Sequence, residues 1–176
     1  MRNAQDQMIS HWNQVWGMGF HYGTESWTYE GGWHTFFEDW INGNVENGSW
    51  FDHVASWWAR RDDPDVMLLR YEDLKADSTA ATRRIASFMG MAPVSEEKLA
   101  DVVNVTSFEN MKRADQGDAG LKFMRWLGVL KNTHIRKGAT GGDATLFTAS
   151  QLAALEQQYI TKLQPLGVPR EYVLLA

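Results

Sequence analysis

Apolar side chains recur at every third or fourth position along most of this chain, and that spacing predicts amphipathic helices. The first helix is expected from about Asp6 to Gly17 and the second from about Trp33 to Asn42, where Gly43 stops it. The glycine-rich stretch from Gly17 to Gly32 has the composition of a loop. A third helix is expected after the turn at residues 47–49, with an apolar face made of Trp50, Val54, Trp57 and Trp58.

Helix start signals mark four more helices after residue 76. They are, in chain order, the N-caps Asp77 and Ser78, a helix start at Ser95, the capping-box pair Thr106 and Glu109, and the capping-box pair Thr148 and Gln151. The helix after Ser78 should run to Met89 and stop at Gly90, and the last helix should end before Pro165.

Residues 64–71 have a different pattern. Four consecutive apolar residues, 66–69, lie between turn signals and predict a strand covered on both faces, as inside a parallel sheet. A single strand cannot satisfy its own backbone donors and acceptors, so its neighbours must come from sequence that this chain does not contain. We therefore expect an α/β fold whose sheet is incomplete here, and a mostly helical chain left by truncation.

Composition and charge narrow the class of protein. The chain has 176 residues, of which 44% are hydrophobic and 22% charged, as in one soluble globular domain. A net charge of −5 argues against nucleic acid as a partner. Without cysteine the chain has neither disulfides nor thiolate metal sites. Since no apolar stretch approaches the roughly 18 residues that span a bilayer, we expect a cytoplasmic protein.

Three separated clusters of polar and aromatic residues are candidates for ligand binding. In the first, Arg2 precedes a helix start and Ser10 lies further along that helix. A guanidinium fork and the backbone N–H groups of a helix N-terminus both suit a phosphate. Tyr71, outside these clusters, directly follows the predicted strand, at the strand end where open α/β sheets bind their ligands.

The second cluster contains Thr106 and Phe108, and the third contains Arg136, Lys137 and Gly138. The Phe108 ring could stack on a base while nearby hydroxyls form hydrogen bonds, and two adjacent cations before a glycine suit an anion-binding loop. Taken singly, each cluster has a commoner structural explanation: a surface arginine, a capped helix with a core phenylalanine, or a solvated pair of charges.

Five sequence strings together resemble the cytosolic sulfotransferase family in order and approximate spacing. They are RNAQDQMIS, GSWFDHVASWW, VMLLRYEDLKAD, TSFENMK and RKG, and the resemblance covers almost the whole chain. It implies an α/β fold with a P-loop-like parallel sheet flanked by helices, and one partial sulfotransferase domain over residues 1–176. It also implies 3′-phosphoadenosine 5′-phosphosulfate (PAPS) as the cofactor.

The resemblance assigns the nucleotide-binding residues. Arg2 and Ser10 match the residues that hold the 3′-phosphate, and Arg136, Lys137 and Gly138 match the loop that closes on it. The residues that match the adenine site are Tyr71, Thr106 and Phe108, with Met111 beside them.

The chain also departs from the family pattern. It lacks the family's Lys-Ser-Gly-Thr-Thr loop and the upstream histidine that acts as general base, so no catalytic residue is assigned. The histidines present, none of which matches that position, are His11, His21, His34, His53 and His134. Ala144, Ala149 and Ala153 stand where the dimerisation motif has Lys, Val and Glu, so the usual dimer is not expected.

The leading hypothesis is a sulfotransferase that binds PAPS and transfers its sulfuryl group to a hydroxyl or amine of a small-molecule acceptor. The chain alone would lack the catalytic half. The alternative is a non-catalytic nucleotide-binding or interaction protein derived from the same fold. A helical scaffold that binds no nucleotide is a third possibility.

Overall fold

The computed structural model describes residues 1–18, 32–91, 93–126, 138, 141 and 144–175. The loop expected between the first two helices lies almost entirely outside the described residues. Arg136 and Lys137 also lie outside them.

The described part of the chain is helical. In chain order its α-helices are α1 (Ala4–Met18), α2 (Gly32–Asn42), α3 (Trp50–Trp58), α4 (Tyr71–Ala76), α5 (Ser78–Phe88), α6 (Glu96–Val105), α7 (Phe108–Gly117), α8 (Ala119–Trp126) and α9 (Ala149–Gln158). A π-helical turn (Tyr159–Leu163) and a 3₁₀ turn (Gln164–Leu166) continue α9, and two further 3₁₀ turns lie at Ala144–Leu146 and Arg170–Tyr172. None of the described helices is both long and apolar enough to cross a bilayer.

Most of the predicted helix starts are confirmed. The side chains of Ser49, Asp77 and Ser95 each accept a hydrogen bond from a backbone N–H three residues on, at the starts of α3, α5 and α6. Thr148 and Gln151 form the reciprocal capping box at the start of α9. These local bonds satisfy N–H groups that have no partner within the helix.

The predicted capping box of Thr106 and Glu109 is wrong. Ser107 is the N-cap of α7, and its Oγ accepts from the N–H of Asn110 at 3.3 Å. Thr106 instead ends α6, where its hydroxyl donates to the carbonyl of Val102 at 2.7 Å. Only two residues separate the two helices, so the first caps the end of α6 and the second caps the start of α7.

The predicted buried strand is not confirmed. No β-strand is found among the residues that the structure describes, and residues 66–70 are irregular and half-buried rather than covered on both faces. Tyr71 is already the first residue of α4. A β-ladder needs a neighbouring strand to supply donors and acceptors, and the described chain offers none. The parallel sheet therefore stays a prediction.

The chain divides into two compact units, and the single domain expected from the sequence stays a prediction. The first unit comprises Met1–Trp12, Thr28–Leu68 and Thr140–Ala176. Its core is aromatic: Phe36, Phe37, Trp40 and Phe51 are each at most 2% exposed. The apolar face predicted for α3 is partly wrong, because Phe51 and Val54 are its buried residues while Trp57 is 43% exposed.

The second unit comprises Asn13–Trp27 and Leu69–Ala139, and it contains α4 to α8. Helices α5 and α6 pack together around Ala81 and Leu99, which are buried. Arg83 on α5 and Glu96 on α6 form a bidentate ion pair at 2.8 and 3.0 Å. Large apolar side chains of this unit are exposed, among them Phe88, Met89, Val105, Phe123 and Trp126.

Candidate functional site

The start of α1 carries the first cluster. Arg2 lies just before the helix, with its Nε 3.8 Å from Oδ2 of Asp6. Asn3 and Asp6 are buried and bind each other twice. Asn3 Nδ2 donates to Asp6 Oδ2 at 3.0 Å, and the N–H of Asp6 donates to Asn3 Oδ1 at 2.8 Å. Ser10 is exposed two turns of helix further along.

Several backbone donors at the start of α1, the helix terminus that the sequence suggested for holding a phosphate, are bonded within the protein. The N–H of Ala4 donates to the carbonyl of Val173 at 2.7 Å, and the N–H of Gln7 donates to the carbonyl of Asn3 at 3.0 Å. Asp6 adds a carboxylate where the helix dipole favours negative charge. The N–H groups of Ala4, Asp6 and Gln7 are therefore engaged within the protein.

Phe108 in the second cluster is the first residue of α7. Its ring is half-buried, and the ammonium of Lys112 lies 5.6 Å from the ring centroid. Thr106 and Met111 are exposed on either side of it in sequence. The ring and the ammonium of Lys112 lie together, and a hydroxyl and a thioether are found within three residues of Phe108 in the sequence. An aromatic ring beside a cation suits a base that carries a phosphate.

Gly138 is the described residue of the third cluster, and it packs against Phe108. A Cβ built on Gly138 would lie 2.0 Å from Cδ2 of the Phe108 ring, and the backbone of Gly138 is left-handed with φ +59°. Two candidates that are thirty residues apart in the sequence are therefore in contact within the second unit.

A further contact links the chain after the third cluster to the first cluster, within the first unit. The N–H of Gly141 donates to Oδ2 of Asp6 at 3.0 Å. Sequence reasoning did not single out Asp6 or Gly141. The pattern Asn3-x-x-Asp6 is a signal for a helix start, but nothing local in the sequence announces a partner 135 residues away.

Tyr71 is half-buried at the start of α4, next to a charged N-cap. The guanidinium of Arg70 lies 3.7 Å from Glu72 and 3.8 Å from Asp73. These local ion pairs surround the first turn of α4. Tyr71, Thr106, Phe108, Met111 and Gly138 belong to the second unit, whereas Arg2 and Ser10 belong to the first. Their convergence on one ligand stays a prediction.

The described histidines show no acid–base arrangement. His11 is buried and packs edge-on against Phe36, and burial lowers its pKa below the ordinary 6.5, with the carboxylate of Glu46 opposing the shift. His34 and His53 are exposed, while His21 and His134 lie outside the described residues. No cluster of three or more His, Cys, Asp or Glu side chains in the described part is placed to hold a metal ion.

Comparisons of this chain with a family model and with curated proteins all identify sulfotransferases. Residues 1–167 match the family model described as "Sulfotransferase domain". Human sulfotransferase 1C2 is 34% identical over 163 residues, which are 93% of this chain and 53% of the human protein. Mouse sulfotransferase 1B1 is 35% identical over 133 residues, which are 76% of this chain and 44% of the mouse protein.

A solved structure of mouse sulfotransferase SULT7A1 complexed with PAP matches this fold with a TM-score of 0.76 at 27% identity. The match covers 98% of this chain and 59% of the mouse chain. The chain spans about half the length of the curated relatives it matches. Since the family match extends over residues 1–167, this chain belongs to the sulfotransferase domain family.

Proposed function

We propose that this chain forms the nucleotide-binding part of a PAPS-dependent sulfotransferase. Arg2 and Ser10, together with residues 136–138, would hold the 3′-phosphate. The adenine would lie against Tyr71, Thr106 and Phe108, with Met111 beside it. The complex of the mouse relative with PAP supports the choice of nucleotide.

The contact between Gly138 and Phe108 is the observation that carries this proposal. The proposal requires the loop that holds the phosphate to lie beside the residue that holds the purine. A residue with any side chain at position 138 would collide with the Phe108 ring, so glycine is needed for the approach. A pair of unrelated surface segments would not require so close a packing of backbone on ring.

The chemistry of the complete reaction would be in-line transfer of the sulfuryl group, which PAPS supplies, to a hydroxyl or amine of a small molecule. This chain would bind and orient the nucleotide, because charge-assisted hydrogen bonds from arginine to a phosphate are stronger than neutral ones. No described histidine is arranged to take a proton from the acceptor. Because the chain lacks the family's Lys-Ser-Gly-Thr-Thr loop and a histidine that matches the family's general base, we propose that the chain alone has little or no transfer activity. We also propose that the complete enzyme works in the cytoplasm.

Calorimetry with two nucleotides tests the binding proposal. The chain should bind adenosine 3′,5′-bisphosphate more tightly than 5′-AMP, because only the former carries the 3′-phosphate. Arg2→Ala should remove most of that preference. Arg60→Ala is the matched control, since Arg60 also pairs with a nearby carboxylate, Asp63, in the same unit, and it should leave the preference intact.

Negligible heats with both nucleotides would overturn the proposal and favour the helical scaffold. Release of adenosine 3′,5′-bisphosphate from PAPS in the presence of simple phenols measures turnover. A rate like that of a full-length sulfotransferase would contradict the proposed inactivity. The alternative of a non-catalytic binding protein predicts that the DNA upstream of Met1 encodes no in-frame Lys-Ser-Gly-Thr-Thr loop.

A further inference from the structure

Asp6 is a buried carboxylate that connects two segments of the first unit. The residue is 1% exposed. Its Oδ2 accepts hydrogen bonds from Asn3 Nδ2 and from the N–H of Gly141, each at 3.0 Å, and it lies 3.8 Å from Nε of Arg2. Two hydrogen bonds and one longer ion-pair contact thus converge on one oxygen. A buried charge is tolerated only when it is paired and hydrogen-bonded in this way.

A helix cap explains only part of this arrangement. The two bonds between Asn3 and Asp6 close the first turn of α1, and they are local. Capping would be complete without Gly141, which lies 135 residues from Asp6. The long-range bond fixes the backbone three residues after Gly138, in the chain that follows the third cluster.

The ion pair also orients the arginine. Asp6 approaches Arg2 at Nε, the inner nitrogen of the guanidinium. The separation of 3.8 Å is that of an ion pair and not of a hydrogen bond. Because a guanidinium is planar, a carboxylate at its inner edge favours orientations in which the outer donors face away from that carboxylate. Orientation matters for a bidentate grip on an anion, which requires two donors to point at two oxygens.

We propose that Asp6 is a positioning residue for recognition of the 3′-phosphate. It would not touch the nucleotide, because a carboxylate repels a phosphate. It would orient the guanidinium of Arg2 and fix the backbone at Gly141. Asp6 would thereby keep the start of α1 at a fixed distance from the backbone at Gly141. This inference rests on the proposed function, and it adds a residue to which the family resemblance gave no role.

The test compares Asp6→Asn and Asp6→Ala with the wild-type chain by calorimetry. Asparagine keeps the shape and one acceptor oxygen but removes the charge, so it guards against a variant that simply fails to fold. We expect the preference for adenosine 3′,5′-bisphosphate over 5′-AMP to fall about tenfold, the loss typical of one charge-assisted contact. Asp52→Asn is the matched control, since Asp52 pairs with Lys162 in the same unit at 2.7 Å.

A second measurement reports on the hydrogen bond between the N–H of Gly141 and Asp6. Hydrogen exchange of the Gly141 amide should be faster in Asp6→Asn than in the wild-type chain, and unchanged in Asp52→Asn. A merely structural role would weaken the binding of both nucleotides equally, and that outcome would overturn the inference, as would unchanged exchange at Gly141. If the wild-type chain itself had no preference, the proposed function would fail as well. A wild-type preference that survives Asp6→Asn would overturn this inference alone.

Discussion

Gly138 packs its backbone against the ring of Phe108 so closely that a Cβ at residue 138 would come within 2.0 Å of Cδ2 and 2.6 Å of Cε2. Contacts below 3.0 Å between such atoms require the ring or the backbone to move. The left-handed backbone of Gly138, at φ +59°, adds a second reason for glycine at this position. Sterics and backbone conformation both exclude larger residues here.

Gly138→Ala should therefore destabilise the chain more than Gly90→Ala. Both glycines have left-handed backbones, with φ +59° and +70°, but a Cβ on Gly90 would meet nothing within 4 Å. The Gly90 variant should lose about 1–2 kcal/mol of unfolding free energy from backbone strain alone. The Gly138 variant should lose more, and it should also bind adenosine 3′,5′-bisphosphate more weakly. Urea titrations and calorimetry measure the two effects.

The background variant Phe108→Ala isolates the ring contact. Once the ring is removed, adding Gly138→Ala should cost no more than Gly90→Ala does, because only the backbone strain remains. If Gly138→Ala and Gly90→Ala lost the same free energy of unfolding in the wild-type background, the Phe108 ring would be able to move aside without cost, and the prediction would be contradicted.

The helices were predictable because their signals are local. Four helices begin at a residue whose side chain accepts a hydrogen bond from the backbone three positions on, namely Ser49, Asp77, Ser95 and Thr148. A few adjacent residues are therefore enough to predict each of these helix starts. Where two local signals compete, the sequence is ambiguous. Thr106 and Ser107 can both cap a helix, and the prediction chose Thr106 although Ser107 is the cap.

The contacts of the candidate site were not predictable from local patterns. The pairs Phe108–Gly138 and Asp6–Gly141 join residues far apart in sequence, and only the folded chain defines them. The family resemblance placed Phe108 and Gly138 in one site, but it gave no role to Asp6. The strand predicted within residues 64–71 is not confirmed for a related reason, because a strand is defined by its neighbouring strands and not by its own apolar residues.

The buried His11 should make stability depend on pH. Its pKa is lowered below 6.5 mainly by burial, so the folded chain favours the neutral imidazole. As pH falls from 6.5 towards the lowered pKa, the unfolded chain takes up a proton that the folded chain does not, and stability is lost. The urea midpoint should therefore drop between about pH 7.5 and about pH 5.5.

His11→Gln removes this titration, so its urea midpoint should change less over the same range, although packing against Phe36 is weakened at every pH. His53→Gln is the control, since His53 is exposed, and it should keep the wild-type dependence on pH. The explanation fails if His11→Gln and the wild-type chain show parallel pH profiles.

Thr106 and Ser107 are neighbours with different expected roles. Ser107→Ala removes the N-cap of α7, which begins at Phe108, and should cost about 1 kcal/mol of stability. Because fraying of this turn moves Phe108, nucleotide affinity should fall too. Thr106→Val keeps the shape but removes an exposed hydroxyl and its bond to the Val102 carbonyl, which water can reach in its place. The variant should therefore change stability by less than about 0.5 kcal/mol while weakening adenine binding.

Ser95→Ala provides the control, because Ser95 caps α6 in the same manner without a proposed contact to nucleotide. Its stability should fall about as much as that of Ser107→Ala, while its affinity for adenosine 3′,5′-bisphosphate should be unchanged. Ser95→Ala thus tests a helix cap away from the proposed ligand, Ser107→Ala tests a helix cap beside it, and Thr106→Val tests a proposed contact to the ligand. A larger loss of stability in Thr106→Val than in Ser107→Ala would restore Thr106 as the cap. An unaltered affinity in Thr106→Val would remove it from the adenine site.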